Sequence, residues 1–587
     1  MQKRWRILPH DSRQIEKLHR ALNVPAVVAQ LLIGRGLSDA GAAQAFLSTK
    51  LSDLRDPGDL PGATAAAERL HAAVRDKRRI VVYGDYDVDG MTGTAVMWSC
   101  LRLLGADVGY YVPHRLDEGY GVNPEALRRL AAEGAKVVVT VDCGISCVAE
   151  ARLAGELGLE LIITDHHEPG ETLPEAAAIV HPQLPGSSYP FAGLSGSGVA
   201  LKLAWAVCQQ ASQAKRVSPA MRELLIRCVA LAALGTVADV VPLLDENRIL
   251  VHHGLKSLKS HPTPGLAALM KLTELDKKRE LASEDIAFTL APRLNAAGRL
   301  GQAQLAVELL VTDSQPRAQA LAEYLHELNG SRQSLEQSVY LAAKKQAQQE
   351  HDPEADAALV LAGRDWHAGV IGIVAGRLAR RFHRPVVILS LDDLGVKPAV
   401  GSARSVPGFN LHAAIKACGD HLLSFGGHQA AAGLKIDEGQ VAAFRAALCE
   451  FAAEAISESQ RVGELVIDAE TTLSALTRQT IEQIELLAPF GQGNARPLLC
   501  ASHVTLESPP KRIGGGGRHV SLQVIQDGVR MRGVAFGQGD WADELTDVGQ
   551  PLKIAFQPVL NRFRGRCTVE LQLVDYRRVE AAAAVEG

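Results

Sequence analysis

The segment Ile80–Gly93, IVVYGDYDVDGMTG, carries aspartates at 85, 87 and 89, followed at once by Gly90. Alternating carboxylates ahead of a turn glycine are the opening of a calcium loop of the EF-hand type. That loop needs a bidentate glutamate at its twelfth position, which here is Val96, and helices on both sides, whereas a β-branched strand precedes this motif. The calcium reading fails on both counts. Other acids and imidazoles follow apolar runs in the same way: Asp142 after KVVVTV, Asp165-His166-His167 after LIIT, and Asp239 in LGTVADVVPL. Taken singly, an aspartate after a strand is usually an N-cap or turn residue. Taken together, so many carboxylates at one sheet edge repel one another strongly unless cations lie between them. Oxygen ligands with one or two imidazoles suit Mn²⁺ or Mg²⁺ better than Zn²⁺ or copper. Two such ions roughly 4 Å apart share a bridging carboxylate and clamp the attacking and leaving oxygens of a phosphoryl transfer. The residue types alone point to a two-metal phosphohydrolase.

The elements that must deliver these groups are legible around them. From about 78 to 181, short β-branched runs (RIVVYG, VGYYV, KVVVTVD, LELIITD, AAAIV) alternate with helical patterns. One helix is expected over Thr92–Leu104, one from Ser146, and one over NPEALRRLAAEG with Asn123 as N-cap, Pro124 in the first turn and Gly134 at the end. The alternation predicts a parallel α/β sheet, whose ligands bind beyond the carboxyl ends of the strands. The chain reads as mainly helical from about 196 to 350, ending in a long polar helix, Gln315–Glu350, with an apolar stripe of Leu321, Leu325, Leu328, Leu335 and Val339. HDPEAD at 351 marks a boundary, and a second α/β unit runs from AALVLAG to about Phe451. After roughly 464, short strands, turns and the run Gly514–Gly517 suggest a small antiparallel barrel, with an oligonucleotide-binding (OB) fold one candidate.

At 587 residues the chain implies three or four domains, and 47% hydrophobic with 22% charged residues allows a buried core. A net charge of −4 argues against coating nucleic acid by charge alone, though a local basic groove is compatible with it. Nine cysteines without a CxxC pair argue against a disulfide framework or zinc knuckle and fit a reducing cytosol. The N-terminus, MQKRWRILPHDSRQ, has no apolar signal segment, and the most apolar stretch, 228 to 244, is broken by Asp239 and Pro242. A soluble, cytoplasmic protein without membrane contact is expected.

GDYDVDGMTGTA, VTVDCGIS, TDHH and LGTVADVVPL together resemble the DHH phosphoesterases. Downstream, APRLNAAGR, WHAGVIGIVAGRLARRFHRPVVIL, GSARSVPGFNL, FGGHQAAAG and PFGQGNARP are similar to the RecJ family, bacterial single-strand-specific 5′-to-3′ DNA exonucleases; the resemblance runs from about 30 to 575. It implies two Mn²⁺ or Mg²⁺ ions. Asp87 and Asp142 would hold one, with Asp85 close by; Asp89, Asp142, His166 and Asp239 would hold the other, with Asp142 as the bridge. His167 would face the scissile phosphate. Ser402 and Arg404 of GSARS would receive the 5′-terminal phosphate in a second lobe, the DHHA1 domain, where Gly426, Gly427 and His428 offer close backbone approach. Arg115, Arg293 and Arg299 are candidates for the strand channel. Lys511, Arg512, Arg518, Arg562, Arg564 and Arg566 are candidates for a DNA-backbone track, although 11 basic against 9 acidic residues from 501 to 580 leave a net of only +2.

The implied organisation is an N-terminal segment (1–45), a DHH catalytic domain (46–265), a helical region with the long connecting helix (266–352), DHHA1 (353–457), an OB-fold β-barrel (464–579) and a tail (580–587). The implied activity is hydrolysis of single-stranded DNA from 5′ to 3′ to 5′-mononucleotides in recombination and repair, by a monomer that meets single-stranded-DNA-binding protein. Two other readings are a superfamily relative acting on pyrophosphate or dinucleotides, and a non-catalytic DNA-binding scaffold. The first expects a shorter chain without the long helical part and C-terminal barrel; the second expects an incomplete acidic set.

Overall fold

The computed structural model describes residues 3–579 except 116, 353–355, 457–462 and 564. The expected tail (580–587), Arg564 and the middle of HDPEAD lie outside the described residues. The chain forms two compact units, residues 51–463 and residues 1–50 together with 464–587.

In the first unit, strands β1 (Ile80–Gly84), β2 (Val108–Tyr111), β3 (Val137–Val141), β4 (Glu160–Thr164) and β5 (Ala178–Val180) form one parallel sheet in the order β2-β1-β3-β4-β5. Every residue of β1 and β3 is buried, as a sheet covered on both faces requires. Successive side chains alternate between faces. Ile80, Val82, Val137, Val139 and Ile162 enter one apolar cluster, while Val81, Tyr83, Val138, Leu161 and Ile163 pack on the other side against Leu127, Leu130 and Ala154. On the first face lie α1 (Val88–Leu103), α2 (Gly196–Ser212) and α3 (Pro219–Ala238). Helix α1 starts four residues earlier than its apolar pattern suggests, because Asp87 caps it by accepting a 3.0 Å hydrogen bond from Gly90 N.

Helix α4 (Ala291–Arg299) leads into α5, which spans Gln315–Glu350. Leu321 and Leu325 of α5 join the core of the first sheet, and Val339 joins that of the second, but Leu335 of the expected stripe is exposed. The second sheet holds β6 (Leu359–Arg364), β7 (Val386–Leu391), β8 (Ala399–Arg404), β9 (Ser424–Gly427) and β10 (Ala431–Ile436) in the order β9-β10-β8-β7-β6. Helix α6 (Ala368–Phe382) packs through Val370, Ile371, Val374 and Leu378 into the cluster that contains Val386 and Ile388.

In the second unit the described residues form a seven-stranded, largely antiparallel sheet ending in the long hairpin Leu552–Phe563 and Arg566–Arg578. Residues 1–45, expected as a separate segment, pack into this unit. Arg4–Ile7 pairs in parallel with Glu464–Ile467, and Val28, Leu31 and Leu32 share a core with Ile481, Leu499 and Phe556. The apolar run AVVAQLLI is hydrophobic nearly all round, so it needs cover that it cannot provide itself. Among the described residues no helix is long and apolar enough to cross a membrane.

Candidate metal centre

The strand order places the acidic residues. In a sheet ordered 2-1-3-4-5 the chain leaves β1 in opposite directions on either side, which opens a crevice between the carboxyl ends of β1 and β3. Asp85 and Asp87 follow β1, Asp142 follows β3, and Asp165-His166-His167 follow β4. Asp142 adopts a left-handed conformation (φ 65°) while its N–H still donates to Thr164 O (3.0 Å), turning the side chain inward. Asp89 sits in the first turn of α1, fully buried, and accepts from Gly196 N (2.6 Å) and Ser197 N (3.0 Å) at the start of α2. Two helix N-termini thus face one carboxylate, favouring its charge. Asp239 ends α3. Glycine is required where these helices meet: a Cβ on Gly235 would lie 2.3 Å from Asp89 Oδ1, and one on Gly196 would lie 2.4 Å from Asp142 Oδ1.

Three sets of potential ligand atoms each fall within 4.8 Å of one another: Asp85, Asp87 and Asp142; Asp89, His166 and Asp239; and Asp142, His166 and His167. Asp142 and His166 are shared between sets. His166 Nε2 lies 3.1 Å from Asp142 Oδ1, 3.6 Å from Asp239 Oδ2 and 3.9 Å from Asp89 Oδ2. Yet His166 Nε2, Asp142 Oδ1 and Asp85 Oδ1 are buried without a hydrogen bond. Buried polar atoms are nearly always satisfied, so three orphans aimed at one crevice are what a cation-binding set looks like. The electrostatics agree. Burial first, then neighbouring carboxylates, holds Asp85 and Asp142 well above the ordinary carboxylate range. The same causes push Asp239 up to about 9, and burial also raises Asp89 against the pull of His166. Burial lowers His166 against the pull of Asp89, in the direction of the neutral form that ligates metal. The donor set, carboxylates with one or two imidazoles, fits divalent Mn²⁺ or Mg²⁺.

Two residues outside the expected set shape the site. Asp165 is buried and accepts four N–H groups: Ile145 N (2.9 Å), His166 N (2.7 Å), His167 N (3.1 Å) and His167 Nδ1 (2.7 Å). Burial opposes its ionisation, but these bonds and the charge of His167 hold it down to about 2. Burial likewise works against the charge of His167, and the bond to Asp165 outweighs it, raising the imidazole to about 9. Tyr120 places its hydroxyl 3.2 Å from His167 Nδ1 and its ring edge-on to that imidazole. The sequence signal for Asp165 was its place beside the two histidines; nothing local marked Tyr120.

The expected phosphate-binding residues divide. On β8, Arg404 Nη1 donates to Ser402 Oγ (3.1 Å) and Ala403 O (2.8 Å). Helix α6 passes so close that a Cβ on Gly372 would lie 2.9 Å from both Arg404 Nη2 and Ser402 Oγ. Arg299 Nη1 donates to Gly369 O (3.3 Å), joining the end of α4 to the start of α6, while Gly298 packs on the carbonyl of Tyr86, between Asp85 and Asp87. Arg115 lies over the Tyr86 ring, 4.8 Å from its centroid. Burial, then repulsion from Arg115, Arg332 and Arg404, lowers Arg299 to about 10, with Asp87 acting the other way. Arg115, Arg299 and Arg404 are therefore brought together beside the carboxylates. Arg293 is not in that group: it bonds Thr289 O (2.6 Å) and His326 Nδ1 (3.1 Å). His428 is exposed in the turn between β9 and β10. In the other unit, Arg512 is engaged with Asp543 (2.5 Å) and Gly539 O (3.1 Å), and Arg518 with Gly515 O (3.2 Å).

Three family models match in order: the DHH family N-terminal domain over residues 79–233, the DHHA1 domain over 356–454 and the RecJ OB domain over 467–575. The single-stranded-DNA-specific exonuclease RecJ of Bacillus subtilis is 38% identical over 573 residues, covering 97% of this chain and 70% of the relative. The Escherichia coli protein of the same name is 34% identical over 567 residues, covering 93% and 95%. The crystal structure of RecJ in complex with Mn²⁺ from Thermus thermophilus superposes with a TM-score of 0.83 at 34% identity, covering 98% of this chain and 80% of that one. Both α/β lobes, the helices between them and the C-terminal OB-like sheet have counterparts in these relatives. The chain belongs to the RecJ family.

Proposed function

We propose that this protein is a metal-dependent exonuclease that degrades single-stranded DNA from 5′ to 3′, releasing 5′-mononucleotides by phosphodiester hydrolysis. The observation that carries the reading is the crevice between β1 and β3, where Asp142 and His166 are each shared between ligand sets beside an arginine group joined to α6 and β8. Asp85, Asp87 and Asp142 would hold one cation, and Asp89, Asp142, His166 and Asp239 the other, with Asp142 as the bridge. Bound there, a pair of divalent cations supplies Lewis-acid polarisation of a phosphodiester and a water of lowered pKa.

The chain's own residues do the rest. Asp165 fixes the His167 ring through Nδ1, and Nε2, 3.4 Å from the Tyr120 hydroxyl, would donate towards a phosphate oxygen. Arg404 and Ser402 receive a terminal phosphate through a guanidinium fork and a hydroxyl. Arg299 and Arg115 neutralise the phosphates that lead to it. A pocket for the 5′ phosphate beside the cut makes the enzyme an exonuclease and sets its polarity. Family membership and the nine free cysteines support a cytoplasmic DNA-repair and recombination enzyme. Action as a monomer and contact with single-stranded-DNA-binding protein rest on the resemblance alone.

The test uses one single strand labelled at either end, with and without Mn²⁺. Release of a labelled mononucleotide from the 5′ end, dependent on Mn²⁺, is expected. Arg404→Ala should reduce discrimination between phosphorylated and unphosphorylated 5′ ends. Cleavage of pyrophosphate or dinucleotides with the long strand left intact would refute the reading.

A further inference from the structure

Helix α5 connects two cores and changes character where it crosses between them. Leu321, Ala322 and Leu325 belong to the core of the first sheet, and Val339, Ala343 and Ala347 to that of the second. Between those stretches the buried residues are polar: Asn329, Arg332 and Glu336. Gly330 also lies here, with open space around it, and glycine weakens a helix interior. The connecting helix is thus least braced by apolar packing, and intrinsically easiest to bend, between the two lobes.

A single charged network spans that stretch. Glu336 Oε2 accepts from Arg332 Nη1 (2.5 Å), whose Nη2 donates to Asn329 Oδ1 (2.8 Å). Glu336 Oε1 accepts from Arg377 Nη1 (2.8 Å), on α6. The Arg377 guanidinium also lies 3.9 Å from the centroid of Tyr340, one turn along α5 from Glu336. Arg377 is five residues beyond Gly372, about 7.5 Å along the α6 axis, and Gly372 is the point where α6 presses on Ser402 and Arg404. The first turn of α6 also receives Arg299 through Gly369 O. Glu336 therefore grips, through Arg377, the same helix that packs at Gly372 and Gly376 against the phosphate pocket on β8. Apolar side chains tolerate sliding, whereas paired hydrogen bonds fix one register.

We propose that Glu336, held between Arg332 and Arg377, is a positioning residue that sets the spacing between the Ser402–Arg404 pocket and the carboxylate cluster, and thereby the number of nucleotides released per cut. The inference rests on the nuclease reading given above. With Glu336 neutralised, α5 and α6 can shift against each other, and the phosphate pocket then sits at more than one distance from the cluster.

The experiment follows a 5′-³²P-labelled, 5′-phosphorylated single strand digested by the full-length chain with Mn²⁺, sizing the first labelled product. Wild type should release labelled mononucleotide. Glu336→Gln and Arg377→Met should release labelled di- and trinucleotides as well, with turnover lower by about 100-fold, the scale of a 1 Å misplacement. Gly330→Ala, which stiffens α5 without touching the network, should narrow the product range of Glu336→Gln. If Glu336→Gln and Arg377→Met both release mononucleotide alone, whatever their thermal stability, Glu336 is only structural and the inference falls while the nuclease reading stands. Should wild type release nothing from the strand, both fall together. If Glu336→Gln does not fold, Arg377→Met alone decides by the same readout.

Discussion

At the scale of residues, the crevice is built from groups whose ordinary chemistry is suppressed. Three buried atoms, Asp85 Oδ1, Asp142 Oδ1 and His166 Nε2, have no hydrogen bond, and Asp85, Asp142 and Asp239 are raised by burial and mutual repulsion. Chelating divalent metal should therefore lower the unfolding temperature. Cation bound at a hundredfold excess over its Kd stabilises the folded chain by about 2.7 kcal/mol, which calorimetry with and without EDTA reads directly; identical melting curves would count against the site. Asp142→Ala should abolish metal-dependent hydrolysis, since the residue is shared between ligand sets, and near-normal turnover would remove it as the bridge. Asp165→Asn should behave differently. It loosens the imidazole of His167 without removing a ligand, so turnover should fall by about 10–100-fold while a metal titration changes less. Unaltered kcat in that variant would separate Asp165 from His167.

Helices and strands set which of these residues meet. Alternation of β-branched runs with helical patterns was enough to read a parallel sheet, and the strand ends marked Asp142 and the 165–167 run. The order β2-β1-β3-β4-β5 was not legible, because β1 and β3 are buried along their whole length and offer no local signal for their neighbours. That order is what makes the β1–β3 gap the crevice. The glycines of α2 and α3 were equally silent: Gly196 and Gly235 look like ordinary small residues until the helices are packed. Alanine in a helix interior is normally better than glycine by about 1 kcal/mol. At Gly235 the sign should reverse, because the new Cβ would meet Asp89 Oδ1, Ser197 Oγ and Thr92 Oγ1 within 2.5 Å. Overpacking of this kind costs about 1–3 kcal/mol. Urea denaturation of Gly235→Ala should show that loss together with reduced activity, and a gain in stability would contradict the packing.

Over the whole molecule, the first and last strands of the described residues lie in one compact unit. Trp5 Nε1 donates to Asp575 Oδ2 (2.8 Å), Arg6 pairs with Glu464, and Arg577 lies over the Trp5 ring. Leu32 is fully buried in the core shared with the C-terminal sheet. Leu32→Ala should accordingly cost about 2–5 kcal/mol, expressed as faster amide exchange in residues 464–579. Deleting residues 1–50 should leave that region poorly folded, and an unchanged exchange pattern in either variant would show that the first residues are dispensable to it.

By itself the sequence determined the chemistry on offer and the class of element beneath it. Carboxylates and imidazoles at strand ends can be read from residue type, because periodicity and burial preference are local properties. Only the tertiary structure decided that Asp89 lies against the start of α2, that Asp165 orients His167, and that Arg299 and Arg404 share α6 while Arg293 does not. It also decided that residues 1–50 belong with the C-terminal sheet. Apart from the bond between Asp165 and His167, two positions apart, those outcomes depend on contacts between residues tens to hundreds of positions apart, and such contacts are set by how whole elements pack, for which no short stretch of sequence carries a signal.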